Sequence, residues 1–244
     1  MSTLYAVIVG SGFEAFVASA EPHRVHTRFG PPSAPIRPVR FGDDTALVIP
    51  RHGDDHSLPP HLINYRANLE ALKDVGAHAV IALNTVGVIS AIREPGQIAV
   101  PDQIIDYTWG REHTIYGEPD PDFDHIDFTE PFTQRLRAAL LAAAETAGVD
   151  CHDGGVYAAT QGPRLESAAE IDRLERDGAD FVGMTAMPEA SIAMELGLEY
   201  ACLSLVVNKA AGRGEMPIHA DVESSTLSAK MQAMQVLKAF FGSG

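Results

Sequence analysis

Cysteine is scarce in this chain: Cys151 and Cys202 are the only two among 244 residues. Two cysteines exclude a disulfide framework and match no zinc-ligand spacing. Cys202 sits inside an apolar run and reads as a core residue, which fits a reducing compartment. Basic residues are outnumbered, 18 Lys and Arg against 33 Asp and Glu, for a net charge of −15. That balance excludes an ordinary nucleic-acid partner, because phosphate backbones call for basic surfaces. It leaves room for a small anion held by a local cluster of donors. Long apolar runs are missing too. No segment approaches the ~20 residues that span a bilayer, so no membrane partner is expected. The opening MSTLYAVIVGSG has no basic stretch ahead of its apolar run, so no secretion leader and a cytoplasmic location are expected. No repeat or low-complexity linker divides the chain, and residues 1–244 read as a single domain long enough to bury a sizeable core.

What is present is alternation. LYAVIVG and ALVIP (46–50) read as strands, and INYRANLEALKDVG (63–76) as a helix with Leu69 and Leu72 inward and Gly76 as its stop. AHAVIALN (77–84) is a strand and 96–108 is extended. Helices are predicted over 131–148, 166–178, 188–197 and 221–241, with strands at 155–162, 179–185 and YACLSLVVN. The last helix carries Leu227, Met231, Met234, Leu237 and Phe241 on one expected stripe. Strands alternating with helices imply an α/β fold: a central, largely parallel mixed sheet flanked by helices. Residues 110–128, rich in Asp, Pro and Gly, form a long excursion, and such loops are often functional.

In sheets of this kind ligands sit beyond the carboxyl ends of the strands, so the residues there matter most. Gly10-Ser11-Gly12 follows the first strand. Small residues let backbone N–H groups approach an anion, though a plain tight turn reads the same way. Arg51 and His52 follow the second, where a guanidinium could fork onto phosphate or simply lie on the surface. His52, His56 and His61 match no ligand pattern, so no metal is expected. Asn84-Thr85 ends the next strand, and Thr185 precedes a helix whose N-terminus favours anions. Glu166 is either a helix-capping acid or an acceptor for a ligand N–H. Met184 reads as core or as a sugar wall, and Asn208 as a turn former or a ligand donor. Each residue is ambiguous singly; their recurrence at successive strand ends is not what turns alone produce.

RHGDDHSLPPHLINYRANLEALKDVGA, PGQIAVPDQIIDYTWGR, TQGPRLESAAEIDRLERDGADFVGMTAMPEA and VVNKAAG together resemble one family. It is the trimeric purine nucleoside phosphorylase and methylthioadenosine phosphorylase family. The likeness is greatest to its bacterial branch acting on S-methyl-5′-thioinosine, and it runs from about residue 5 onward. The resemblance implies a pentosyltransferase of purine salvage. Phosphate is the co-substrate of this reaction, which needs no organic cofactor and no metal. A homotrimer or dimer of trimers is implied as well. By position, Ser11, Arg51, His52, Thr85 and Thr185 match the family's phosphate site. Met184 matches the residue against the ribose, and Leu165, Glu166 and Asn208 match the base site, Asn208 and Glu166 being the catalytic pair. His125 matches a residue that reaches a neighbouring subunit's site, and His219 one that touches the 5′ substituent.

Members that prefer 6-aminopurines carry Asp where Asn208 stands and a second Asp where Ala210 stands. The Asn208, Ala210 and Glu166 set therefore implies a 6-oxopurine. Total similarity favours the 5′-methylthio nucleoside. His219 favours inosine or guanosine, because methylthio-specific members have an apolar residue there. Ser11 in place of a commoner Thr and Val88 in place of a commoner Gly are further departures.

Overall fold

The computed structural model describes residues 3–11, 13, 21–41, 44–215 and 222–242. Its centre is a ten-stranded mixed sheet. The apolar runs form the middle: β1 (Tyr5–Val9), β3 (Asp44–Pro50), β4 (Ala79–Val88) and β10 (Glu199–Lys209) pair in the parallel order β3-β1-β4-β10. These strands are buried on both faces, which is why they read as continuous hydrophobic runs rather than alternations. β2 (Arg37–Phe41) closes one edge antiparallel to β3. On the other side β5 (Ile98–Val100) runs antiparallel to β10, and β7 (Cys151–Asp153) lies beyond it. A second branch leaves the far end of β4. β9 (Phe181–Gly183) pairs with β4 antiparallel, β8 (Val156–Ala159) with β9, and β6 (Gln103–Asp106) with β8. Six of the nine pairings are parallel, so the expected largely parallel mixed sheet is what forms.

Five α-helices flank the sheet among the described residues: α1 (Tyr65–Asp74), α2 (Gln134–Thr146), α3 (Ala168–Arg176), α4 (Ala186–Glu195) and α5 (Val222–Phe241). Except in β3, where the phase is reversed, side chains at even positions of the central strands, such as Ile8, Val80, Ala82 and Cys202, pack beneath α1 and α4. Odd ones, such as Val7, Ile81 and Leu203, pack beneath α2 and α5. α1 is capped by Asn64, whose side chain accepts from the Ala67 N–H, and it ends before Gly76 at φ 92.

Two expectations are refined. The expected stripe of α5 holds in its second half, where Leu237 and Phe241 are buried and Met234 packs against the core, but Leu227 and Met231 are exposed, and Ala229, Ala233 and Val236 complete the buried line. Ala229 and Ala233 let the first half of α5 lie close against the sheet and α2, with Leu227 and Met231 facing outward. The expected extended stretch over 96–108 comprises two strands, broken at Pro101, which has no N–H for a ladder.

Candidate active site

The carboxyl ends of β1, β3, β4 and β10 open on one cavity of about 580 Å³, within the roughly 300–1,000 Å³ typical of small-molecule sites. Nine of the residues singled out in the sequence line it: Ser11, Arg51, His52, Thr85, Leu165, Glu166, Met184, Thr185 and Asn208. His125 does not line it; it stands exposed on the 110–128 excursion with its ring edge-on to Phe123 at 4.7 Å. His219 lies outside the described residues, as does Gly12. A smaller cavity of about 270 Å³, lined by Tyr107 and Trp109, shares Glu166 with the first.

Arg51 is fully buried at the exit of β3, and its N–H continues the ladder to the Val9 carbonyl at 2.9 Å. Its side chain corrects one expectation. The guanidinium fork is closed on a carboxylate: Nε and Nη2 donate to Glu189 at 2.7 and 2.8 Å. Nη1 donates to the Leu83 carbonyl at 3.0 Å. Three of five N–H groups are thereby used, and a ligand in the cavity meets at most the other two. Burial alone would pull the guanidinium's pKa down. The charge and hydrogen bonds of Glu189 outweigh that and hold it above its ordinary range, so Arg51 is a cation at any working pH. Glu189 is itself fully buried and also accepts from the Tyr200 hydroxyl at 2.8 Å. Glu189 escaped the sequence reading because it lies on a helix, four residues beyond a strand-end threonine, and only the fold brings it to Arg51.

Gly10 permits this approach. A Cβ there would lie 2.9 Å from the Leu83 carbonyl oxygen and 3.2 Å from Arg51 Nη1. Next to it, the Ser11 hydroxyl is 3.3 Å from His56 Nε2. His56, at φ 55, lines the same cavity, a place that its position in the sequence does not suggest. The His52 ring packs 4.8 Å from that of His56, and its Nδ1 is 2.8 Å from the Leu58 carbonyl. A carbonyl only accepts, so that nitrogen carries the proton.

Thr185 caps the approach to α4, and its hydroxyl accepts from the Asn84 amide at 2.8 Å. Because that lone pair is taken, the hydroxyl proton is left to donate. Below it lies the buried Tyr157, whose hydroxyl burial pushes up to about 12, so it stays neutral.

On the other side of the cavity, Glu166 sits just ahead of the Ser167 cap of α3 and accepts from the Thr160 hydroxyl at 2.6 Å. Asn208 is turned by a bulge: β10 and β4 pair Val206 with Val86 but Asn208 with Gly87. Its amide donates to the Lys209 carbonyl at 2.8 Å and packs so near Gly87 that a Cβ there would lie 2.9 Å from Nδ2. One amide N–H and the amide oxygen remain for a ligand. The cavity thus joins a group of hydroxyl, imidazole and guanidinium donors to one amide and one carboxylate. Such a set suits an anion beside a flat heterocycle that both donates and accepts.

Comparison with known proteins agrees in kind. The profile of the phosphorylase superfamily matches residues 4–242. A probable S-methyl-5′-thioinosine phosphorylase of Xanthomonas campestris pv. campestris is 50% identical over 216 residues, covering 88% of this chain and 86% of that protein. A 6-oxopurine nucleoside phosphorylase of Pyrococcus furiosus is 42% identical over 224 residues, covering 89% and 84%. Among solved structures, methylthioadenosine phosphorylase from Schistosoma mansoni in complex with tubercidin superposes with a TM-score of 0.89 at 31% identity, covering 98% of this chain and 90% of that one.

Proposed function

The chain belongs to the phosphorylase superfamily, and from that premise we propose that it cleaves S-methyl-5′-thioinosine with phosphate to give hypoxanthine and 5-methylthioribose 1-phosphate. The observation that carries the reading is the single cavity in which anion donors from β1, β3, β4 and the α4 entrance meet Asn208 and Glu166. Relatives about 50% identical that are named for this substrate support it.

In this reading Ser11, His52, Thr85, Thr185 and the remaining Arg51 N–H groups hold phosphate, and Met184 lies against the sugar. Phosphate oxygen bonds to C1′ as the bond from C1′ to the purine N9 breaks. The bonding electrons leave with the base. Negative charge therefore grows on the purine while the sugar becomes cation-like. The Asn208 N–H donates to N7 or O6, where that charge collects, and Glu166 accepts from N1–H. A donor that meets developing charge lowers the barrier more than it tightens ground-state binding. A 6-aminopurine presents the opposite pattern at N1 and C6, and a site built on hydrogen bonds can discriminate against it by ~10⁴-fold or more.

Base release from methylthioinosine, inosine and methylthioadenosine, each with and without phosphate, tests the reading. Phosphate-dependent release, greatest with methylthioinosine, is expected. Release that persists without phosphate would indicate a hydrolase, and no release at all a nucleoside-binding protein. Preference for inosine would assign the 5′ site to the family's hydroxyl-accepting type, as His219 suggests. We further propose a cytoplasmic homotrimer or dimer of trimers, in which His125 completes a neighbour's site. Full activity in a sedimenting monomer would refute that arrangement.

A further inference from the structure

Arg111 lies on the excursion between β6 and α2, is almost fully buried, and does not line the large cavity. Its guanidinium is held by carbonyls. Nη1 donates to the backbone oxygens of Met184 at 2.8 Å and Met187 at 2.6 Å, and lies 3.2 Å from the Tyr65 hydroxyl. Nη2 donates to the backbone oxygens of Thr160 at 3.1 Å and Gln161 at 2.8 Å. Nε lies 3.3 Å from the Gln161 side-chain oxygen. Among the described residues no carboxylate forms an ion pair with it. A buried cation without a counter-charge is costly unless its hydrogen bonds are all made. Here they are made chiefly to two separate backbone segments.

One segment, 184–187, runs from the end of β9 into the first residues of α4; it begins with Met184 and contains Thr185 between the two carbonyls that Arg111 grips. The other, 160–166, starts at the carbonyls of Thr160 and Gln161 and ends at Glu166, whose carboxylate the Thr160 hydroxyl fixes at 2.6 Å. One planar group thus sets the spacing between the hydroxyl that faces phosphate and the carboxylate that faces the base. We propose that Arg111 is a positioning residue that holds the phosphate half and the base half of the site in register. This rests on the phosphorylase reading.

The test is steady-state kinetics of Arg111→Lys, with both substrates varied and melting temperature measured alongside. Lysine keeps the charge but is a point donor that cannot span both carbonyl pairs. The Michaelis constants for phosphate and for nucleoside are expected to rise together, each about tenfold or more, which corresponds to about 1.4 kcal/mol. A purely structural role would lower the active fraction and the melting temperature while leaving both constants unchanged, and that result overturns the proposal. A rise in one constant only also overturns it. Should Arg111→Lys not fold, Gln161→Leu decides. It removes only the acceptor for Nε and for the Trp109 N–H, and a joint rise of about threefold is expected. Unchanged constants there refute the role. The two failures are separable: phosphate-independent base release in the wild type defeats the reading itself, whereas unchanged variant constants beside a phosphate-dependent wild type defeat Arg111 alone.

Discussion

At the scale of single residues, the proposed chemistry rests on hydrogen-bond polarity at position 208. Asn208→Asp replaces the amide N–H with an acceptor aimed at electron-rich N7 and O6. Turnover of the 6-oxopurine nucleoside is expected to fall on the order of 10²–10³-fold, the cost of losing one transition-state donor. The melting temperature should change little, since Asn208 is only half-buried and its partner is the next residue. Initial rates and a thermal melt on the same preparation check this, and equal losses of activity and stability would assign the residue to structure. Gly10 presents the opposite case. Gly10→Ala places a methyl against the Leu83 carbonyl and Arg51. Relief requires the backbone at Leu83, and with it the guanidinium bonded to its carbonyl, to move, at about 1–3 kcal/mol. The Michaelis constant for phosphate should rise about tenfold, and that for nucleoside much less. A phosphate titration at saturating nucleoside reads it.

At the scale of elements, α3 shows how a helix start is anchored beside a ligand group. Ser167 accepts from the Glu170 N–H, and the Glu170 carboxylate accepts in turn from the Ser167 N–H. Hydrogen bonds from Arg164 and Ser167 hold Glu170 down at about 2. A carboxylate depressed in the folded state adds stability above its unfolded pKa and loses it as pH falls toward the folded value. The melting difference between wild type and Glu170→Gln should therefore be full above about pH 4.5 and close as pH approaches about 2. Ser167→Ala should cost about 1 kcal/mol, read by denaturant titration.

The same helix shows what the sequence made legible. Its periodicity and acidic start placed it within two residues at either end, and the long apolar strands were equally plain. β2 and β7 were not. RPVRF carries proline and arginine, and CHD is three polar-to-small residues, because both lie at sheet edges where burial does not dictate an alternation. In the site, residues that follow strands were legible, since topology alone sends them to one rim. Glu189, His56 and Arg111 were not, because their partners are set by tertiary packing that no local pattern records.

At the scale of the whole molecule, a cluster of cationic and hydroxyl donors sits inside a chain of net charge −15. The surrounding field opposes the approach of a phosphate dianion. Screening weakens that opposition: the Debye length falls from about 30 Å at 0.01 M to about 8 Å at 0.15 M salt. Catalytic efficiency for phosphate should accordingly rise with sodium chloride over that interval, while efficiency for the neutral nucleoside stays level. A decline for phosphate would show that a local positive funnel dominates instead. The Arg51–Glu189 pair ties β3 to α4 beneath the same cluster. Glu189→Gln leaves Arg51 a buried cation without its partner, expected to cost about 3–5 kcal/mol. Added phosphate should then raise the melting temperature of the variant more than that of the wild type, because the ligand becomes the missing counter-charge.

The extra residue at Val207 gives the final strand two independent halves. From Tyr200 to Val206 each side chain is committed to the packing of the core; past the bulge the backbone is re-phased, and Asn208 turns to the cavity while Ala210 sits buried in a small satellite cluster with Ala158, Ile171 and Val182. On the proposed reading, the letter at 208, and with it the choice of purine, can therefore change without asking the central core to repack.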